Sequence, residues 1–162
     1  MSSAHPSQAP TPALNHDVDD ATQAPAPGIA GRRAAHEVTV LLYSDDITTR
    51  DAVRAAVGRR PARDVEVVAW KECATGPAVV SEVERGGYDL LILDGEASPM
   101  GGLGLTRQLK NEIFECPPVL VLTGRPQDGW LAAWSHAEAA VPHPLDPIAL
   151  AGAVAELARL PR

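Results

Sequence analysis

The chain has 162 residues, room for one ordinary domain and a tail. Apolar residues make up 45% but aromatic ones only 4%, so a core must be aliphatic; 21 acidic against 14 basic residues, for a formal charge of −7, exclude a protein that grips nucleic acid by its phosphates. The two cysteines, Cys73 and Cys116, stand too far apart for a disulfide framework or a zinc module, and with no basic-then-apolar leader they fit a reducing cytoplasm. Apolar runs such as Leu90 to Leu93 and Val119 to Leu122 are far short of a bilayer span, so no direct membrane insertion is expected.

Residues 1–36 form a Pro/Ala-rich extension, with Pro6, Pro10, Pro12, Pro25 and Pro27 among small and polar residues. Such a composition buries too little surface to offset the entropy of ordering, which predicts disorder. Asp17, Asp19 and Asp20 read as a solvated spacer or a short acidic motif. Proline pre-sets backbone angles, so the extension is also expected to serve as an arm lying along a partner.

From residue 37 to 162, strand and helix patterns alternate. Val38–Tyr43 is a β-rich apolar run; Asp46–Arg60 has helical spacing, with Ile47, Val53 and Val57 on one side. A strand over Val65–Trp70, a helix over Gly76–Arg85 and a strand over Tyr88–Leu93 follow. Then come a helix over Leu103–Phe114, a strand over Pro118–Thr123, a short helix over Asp128–Ser135 and a weak strand over Ala139–Val141. Asp146-Pro147 opens the last helix, to Leu160, as cap and first helical residue. Five short strands, apolar on both faces and alternating with helices, make an α/β fold with a parallel sheet covered on both sides.

In such a sheet, ligands bind at the carboxyl ends of the strands. Asp45, Asp94, Thr123 and His143 each follow a different strand and would converge on one edge. Alone, each has a plain reading as cap, turn former or surface residue; four at four strand ends are harder to dismiss.

Here the sequence resembles the receiver domain of bacterial two-component response regulators, through Val40-Leu-Leu-Tyr-Ser-Asp-Asp46, Tyr88-Asp-Leu-Leu-Ile-Leu-Asp94, Pro118-Val-Leu-Val-Leu-Thr123 and His143-Pro-Leu-Asp-Pro147. The resemblance implies a flavodoxin-like fold of five parallel strands and five helices, with Asp94 as phosphoacceptor. It implies a Mg²⁺ site at Asp94, the Glu96 carbonyl and an acidic pair falling on Ser44 and Asp45, or on Asp45 and Asp46. Thr123 and His143 would contact the phosphoryl group. In such a site Mg²⁺ offsets the repulsion between a carboxylate and an anionic donor.

The departures matter as much. The family's lysine before proline is His143 here, and histidine, unlike lysine, is not charged throughout the physiological range. Ser44 removes one metal-binding charge, Ala140 replaces the aromatic that switches rotamer, and the loop after Asp94 has its proline displaced by one. Mg²⁺ binding is therefore expected to be weakened or absent.

Other signals are less specific. Gly101-Gly-Leu-Gly104 fails the dinucleotide fingerprint, because Arg107 stands where the third glycine belongs. Arg50, Arg54, Arg59, Arg60 and Arg63 read as a solvated basic face or a contact for an acidic partner. Trp130 and Trp134 share one helix face, which suits either core or interface. With the sequence ending at Arg162, output is expected through protein contact rather than a DNA-binding domain. The reading is a non-enzymatic orphan pseudo-receiver docking on a larger assembly; the alternative is a phosphorelay regulator that accepts phosphate on Asp94 from a histidine kinase. The sequence also resembles orphan receivers of high-GC bacteria associated with the respiratory NADH–quinone oxidoreductase, which implies a respiratory complex as partner.

Overall fold

The computed structural model describes residues 34–162. The expected disordered extension and binding arm lie, but for residues 34–36, outside the described residues.

The elements run β1 (His36–Tyr43), α1 (Ile47–Val57), β2 (Val65–Cys73), α2 (Gly76–Arg85), β3 (Leu90–Asp94), α3 (Gly102–Glu112), β4 (Val119–Thr123), α4 (Gly129–Ser135), β5 (Ala139–Pro142) and α5 (Pro147–Ala158). All strand pairs are parallel, in the order β2-β1-β3-β4-β5. Every residue of β3 and β4 is buried, as a sheet covered on both faces requires.

Strand alternation sorts these side chains into two cores. Val38, Val40, Leu42, Leu90, Ile92, Leu120 and Leu122 face α1 and α5, where Val53, Val57, Leu150 and Val154 meet them. Leu41, Tyr43, Leu91, Leu93, Val119 and Val121 face α2 and α3, meeting Val79, Val83, Leu105 and Leu109. Burying each such aliphatic stabilises by about 1.5–3 kcal/mol. Side chains of Asp46, Thr75 and Asp146 accept from backbone N–H groups at the starts of α1, α2 and α5, as N-caps do.

Some boundaries differ from the sequence reading. Helix α1 stops at Val57 rather than Arg60, because Gly58 turns the chain at φ 62°. Ile47 is 62% exposed, so it does not join Val53 and Val57 in the core. Strand β2 runs on to Cys73, with Lys71 and Glu72 pairing Leu41 and Leu42. As an edge strand it tolerates the exposed charges that break an apolar pattern.

Candidate functional site

The order of strands reverses between β1 and β3, and the crevice at their carboxyl ends is where such sheets hold ligands. Asp94 ends β3 there, 3% exposed. Its Oδ2 accepts a hydrogen bond from Ser44 Oγ at 2.8 Å, and its Oδ1 accepts one from the Glu96 backbone N–H at 3.0 Å. His143 Nε2 stands 3.6 Å from Oδ1, beyond hydrogen-bond length but within electrostatic reach. Neighbouring charge reaches Tyr43 as well: burial first, then Asp45 and Asp94, push its phenol above the ordinary range.

The other expected residues fall around this carboxylate to different degrees. Thr123 is buried at the end of β4, its hydroxyl donating to the Arg125 carbonyl at 3.4 Å. The Thr123 carbonyl accepts from His143 N–H at 2.8 Å, which fixes the residues after β5 beside β4. Asp45 is exposed. Asp46 is spent on the helix: its Oδ1 accepts from Thr48 N–H at 2.8 Å while its own N–H donates to Ser44 Oγ. The Glu96 side chain lies against Gly124.

The side chains expected to hold Mg²⁺ are partly committed to other bonds. A hard cation wants several converging oxygens, preferably charged. Here Ser44 supplies a hydroxyl already donated to Asp94, Asp46 caps a helix, and among the described residues no three His, Cys, Asp or Glu side chains gather as a metal set.

Three supports of the site escape sequence reasoning. Ser44 registers in the sequence only as a missing acid, yet it is fully buried and holds the Asp94 carboxylate. The Arg50 guanidinium donates to the Ser44 carbonyl at 2.7 Å, pinning that residue from behind. Gly102, in the run that resembles a nucleotide loop, lets α3 approach the acceptor strand: a Cβ there would sit 2.7 Å from the Asp94 carbonyl oxygen. A glycine at a helix start beside a functional strand end was the available signal.

Around the rim, Ala140 on β5 is half-buried. Trp130 and Trp134 stand outside the core at 67% and 49% exposure, and the Arg107 guanidinium lies 4.4 Å from the Trp134 ring centroid. Four arginines of the basic cluster share two glutamates. Arg50 and Arg54 pair with Glu72, and Arg59 and Arg60 with Glu66. Among the described residues no helix is long and apolar enough to cross a membrane.

The fold is shared with solved receiver domains. The receiver domain of Francisella response regulator 1452 superposes with a TM-score of 0.63 at 15% identity, over 75% of this chain and 97% of that one. The chemotaxis response regulator CheY4 of Vibrio cholerae gives 0.61 at 18% identity, over 75% and 98%. The NarL receiver domain of Mycobacterium tuberculosis gives 0.60 at 20% identity, over 76% and 98%. No family model matches the sequence. Sequence kinship comes from two strains of Mycobacterium tuberculosis, H37Rv and CDC 1551, each with an uncharacterized response regulatory protein 56% identical over 122 residues, 75% of this chain and 92% of the relative. With Asp94 buried at the end of β3 and this degree of identity across a shared fold, the chain belongs to the response regulators and carries their receiver domain.

Proposed function

We propose that this receiver is a cytoplasmic protein-docking module rather than a phosphate-driven switch. The observation that carries the reading is the Ser44–Asp94 hydrogen bond: the hydroxyl takes the Oδ2 lone pair and stands where a second acid would draw in a cation. Both carboxylate oxygens accept hydrogen bonds in a nearly closed site, which lowers their reactivity toward an anionic donor. Ala140 gives β5 no side chain with rotamers to report a change at Thr123. The exposed Trp130 and Trp134 supply a recognition surface on α4, since buried tryptophans dominate binding energy at interfaces. The partner is a protein assembly, and the respiratory NADH–quinone oxidoreductase is the candidate that the sequence resemblance names. No nucleic acid is involved.

A phosphorelay regulator working through Mg²⁺ and Asp94 is the rival, favoured by the retention of Asp94 and Thr123 and by a histidine, His143, 3.6 Å from the carboxylate. Intact-mass measurement after incubation with Mg²⁺ and a small acyl phosphate separates the two. The docking reading expects unmodified protein; stoichiometric phosphorylation lost in Asp94→Asn sinks it. Against a captured partner, Asp94→Asn should leave affinity within about 0.5 kcal/mol, whereas Trp130→Ala with Trp134→Ala should weaken it at least about tenfold.

A further inference from the structure

The end of the sheet opposite Asp94 holds a cavity of about 380 Å³, walled mainly by Val38, Tyr88, Pro117, Leu157 and Leu160, with the charged Asp89 and Arg162 also lining it. That is room for a ring-sized apolar group. Beside it, in the connection from α3 to β4, stands Phe114, the single phenylalanine of the chain, 91% exposed. Scattered exposed apolar residues are ordinary. An aromatic knob standing clear of its own chain next to an open apolar recess is not. The following residue, Glu115, has φ 55°, a left-handed conformation unfavourable for a side chain larger than glycine, so the knob is presented on a tightly turned loop.

We propose that the chain forms a two-fold dimer in which Phe114 of each copy fills the cavity of the other. A two-fold axis brings a surface onto itself, so it needs knob and recess on one patch, and both are here. Charge points to the same occupant. Glu115, next to the knob, makes no ion pair among the described residues, and Arg162, at the recess, keeps a side chain 63% exposed while pairing with Asp89. The two-fold crossing places Glu115 of one copy toward Arg162 of the other. Both Asp94 edges and both Trp130–Trp134 surfaces remain free, so the dimer offers two docking faces to a partner.

Sedimentation velocity on the full chain tests this. The wild type should dimerise as concentration rises. Phe114→Asp should raise the dissociation constant about 30-fold or more with an unchanged Tm at concentrations where the wild type is monomeric, and Phe114→Leu, which keeps an apolar knob, should dimerise more weakly than wild type but better than Phe114→Asp. Cys116 lines the cavity and Cys73 is buried, so a maleimide should label Cys116 more slowly as concentration rises, and Phe114→Asp should remove that protection. A chain that stays monomeric up to about 0.1 mM overturns the proposal, as does a dimer indifferent to Phe114→Asp.

Discussion

The two ends of one sheet are built on opposite principles. At the carboxyl ends, Ser44, Asp94 and Thr123 are buried polar groups, each hydrogen-bonded, on strands fixed by both cores. At the other end, Tyr88, Pro117, Pro118 and Leu160 leave apolar surface uncovered, and Phe114 stands in water. Buried polar groups tolerate few arrangements, because each lost partner leaves a desolvated atom. Apolar surface is undirected and waits for whatever fits it. One end of the sheet is thus built for a fixed polar arrangement and the other for apolar contact, and the parallel strands hold them apart.

Mutations that reach both ends should show the largest effects. Ile92→Ala, in the middle of β3 and fully buried, should cost about 3 kcal/mol in chemical denaturation, while Phe114→Ala should cost less than about 0.5 kcal/mol. A Phe114 variant as damaging as the core variant would mean that the exposed knob supports the monomer, and the contrast between the ends would fail.

The next effect is confined to the acceptor end. Gly102→Ala puts a Cβ within 2.8 Å of Asp94 and Leu93 backbone atoms, which cannot give way as a flexible side chain can. About 2 kcal/mol should be lost, with α3 pushed off β3. Unchanged stability would show that the close approach is not required. Ser44→Ala is subtler. It removes the donor to a buried carboxylate, so about 1 kcal/mol should go at neutral pH. Combining it with Asp94→Asn should recover part of that loss, because the unsatisfied charge is then gone. Equal and additive losses would mean that the two side chains are not coupled.

How much of this was legible in the sequence depends on what each residue answers to. The strand runs, the cap at Asp146, and the convergence of Asp94, Thr123 and His143 follow from local pattern and strand polarity. Strand β2 past Trp70 was hidden, because an edge strand needs no apolar alternation and Lys71 and Glu72 look like a loop. Ile47 misleads because it matches the helical spacing yet lies on the first turn, beyond the cover of the sheet. Ser44 reads as a deficit until the fold sets its hydroxyl 2.8 Å from a residue 50 positions away. The recess near Phe114 is assembled from four separate stretches of chain, so no sequence window contains it.

The smallest expected effect lies at the amino ends of the strands, away from Asp94. Arg159, just past α5, grips Asp64 with two hydrogen bonds, Nε to Oδ2 at 2.8 Å and Nη2 to Oδ1 at 2.7 Å. The Asp64 carbonyl accepts from His36 N–H at 2.9 Å, so the start of β1, the loop before β2 and the end of α5 meet there. The guanidinium hydrogen bonds hold the Asp64 carboxyl down from the ordinary 3.8 to about 2. A carboxyl whose folded value lies below its unfolded one contributes stability above the unfolded value and loses it as pH falls through the folded one. The contribution is thus present above about pH 4 and gone by about pH 2. Both side chains are roughly two-fifths exposed, so water and salt screen the pair and the effect stays small. Asp64→Asn should lower Tm slightly at neutral pH, and the gap to wild type should close as pH falls from 4 to 2. Added salt should narrow the neutral-pH gap. A gap of constant size down to pH 2 would show that the carboxylate charge contributes nothing and that Asp64 acts through its backbone alone.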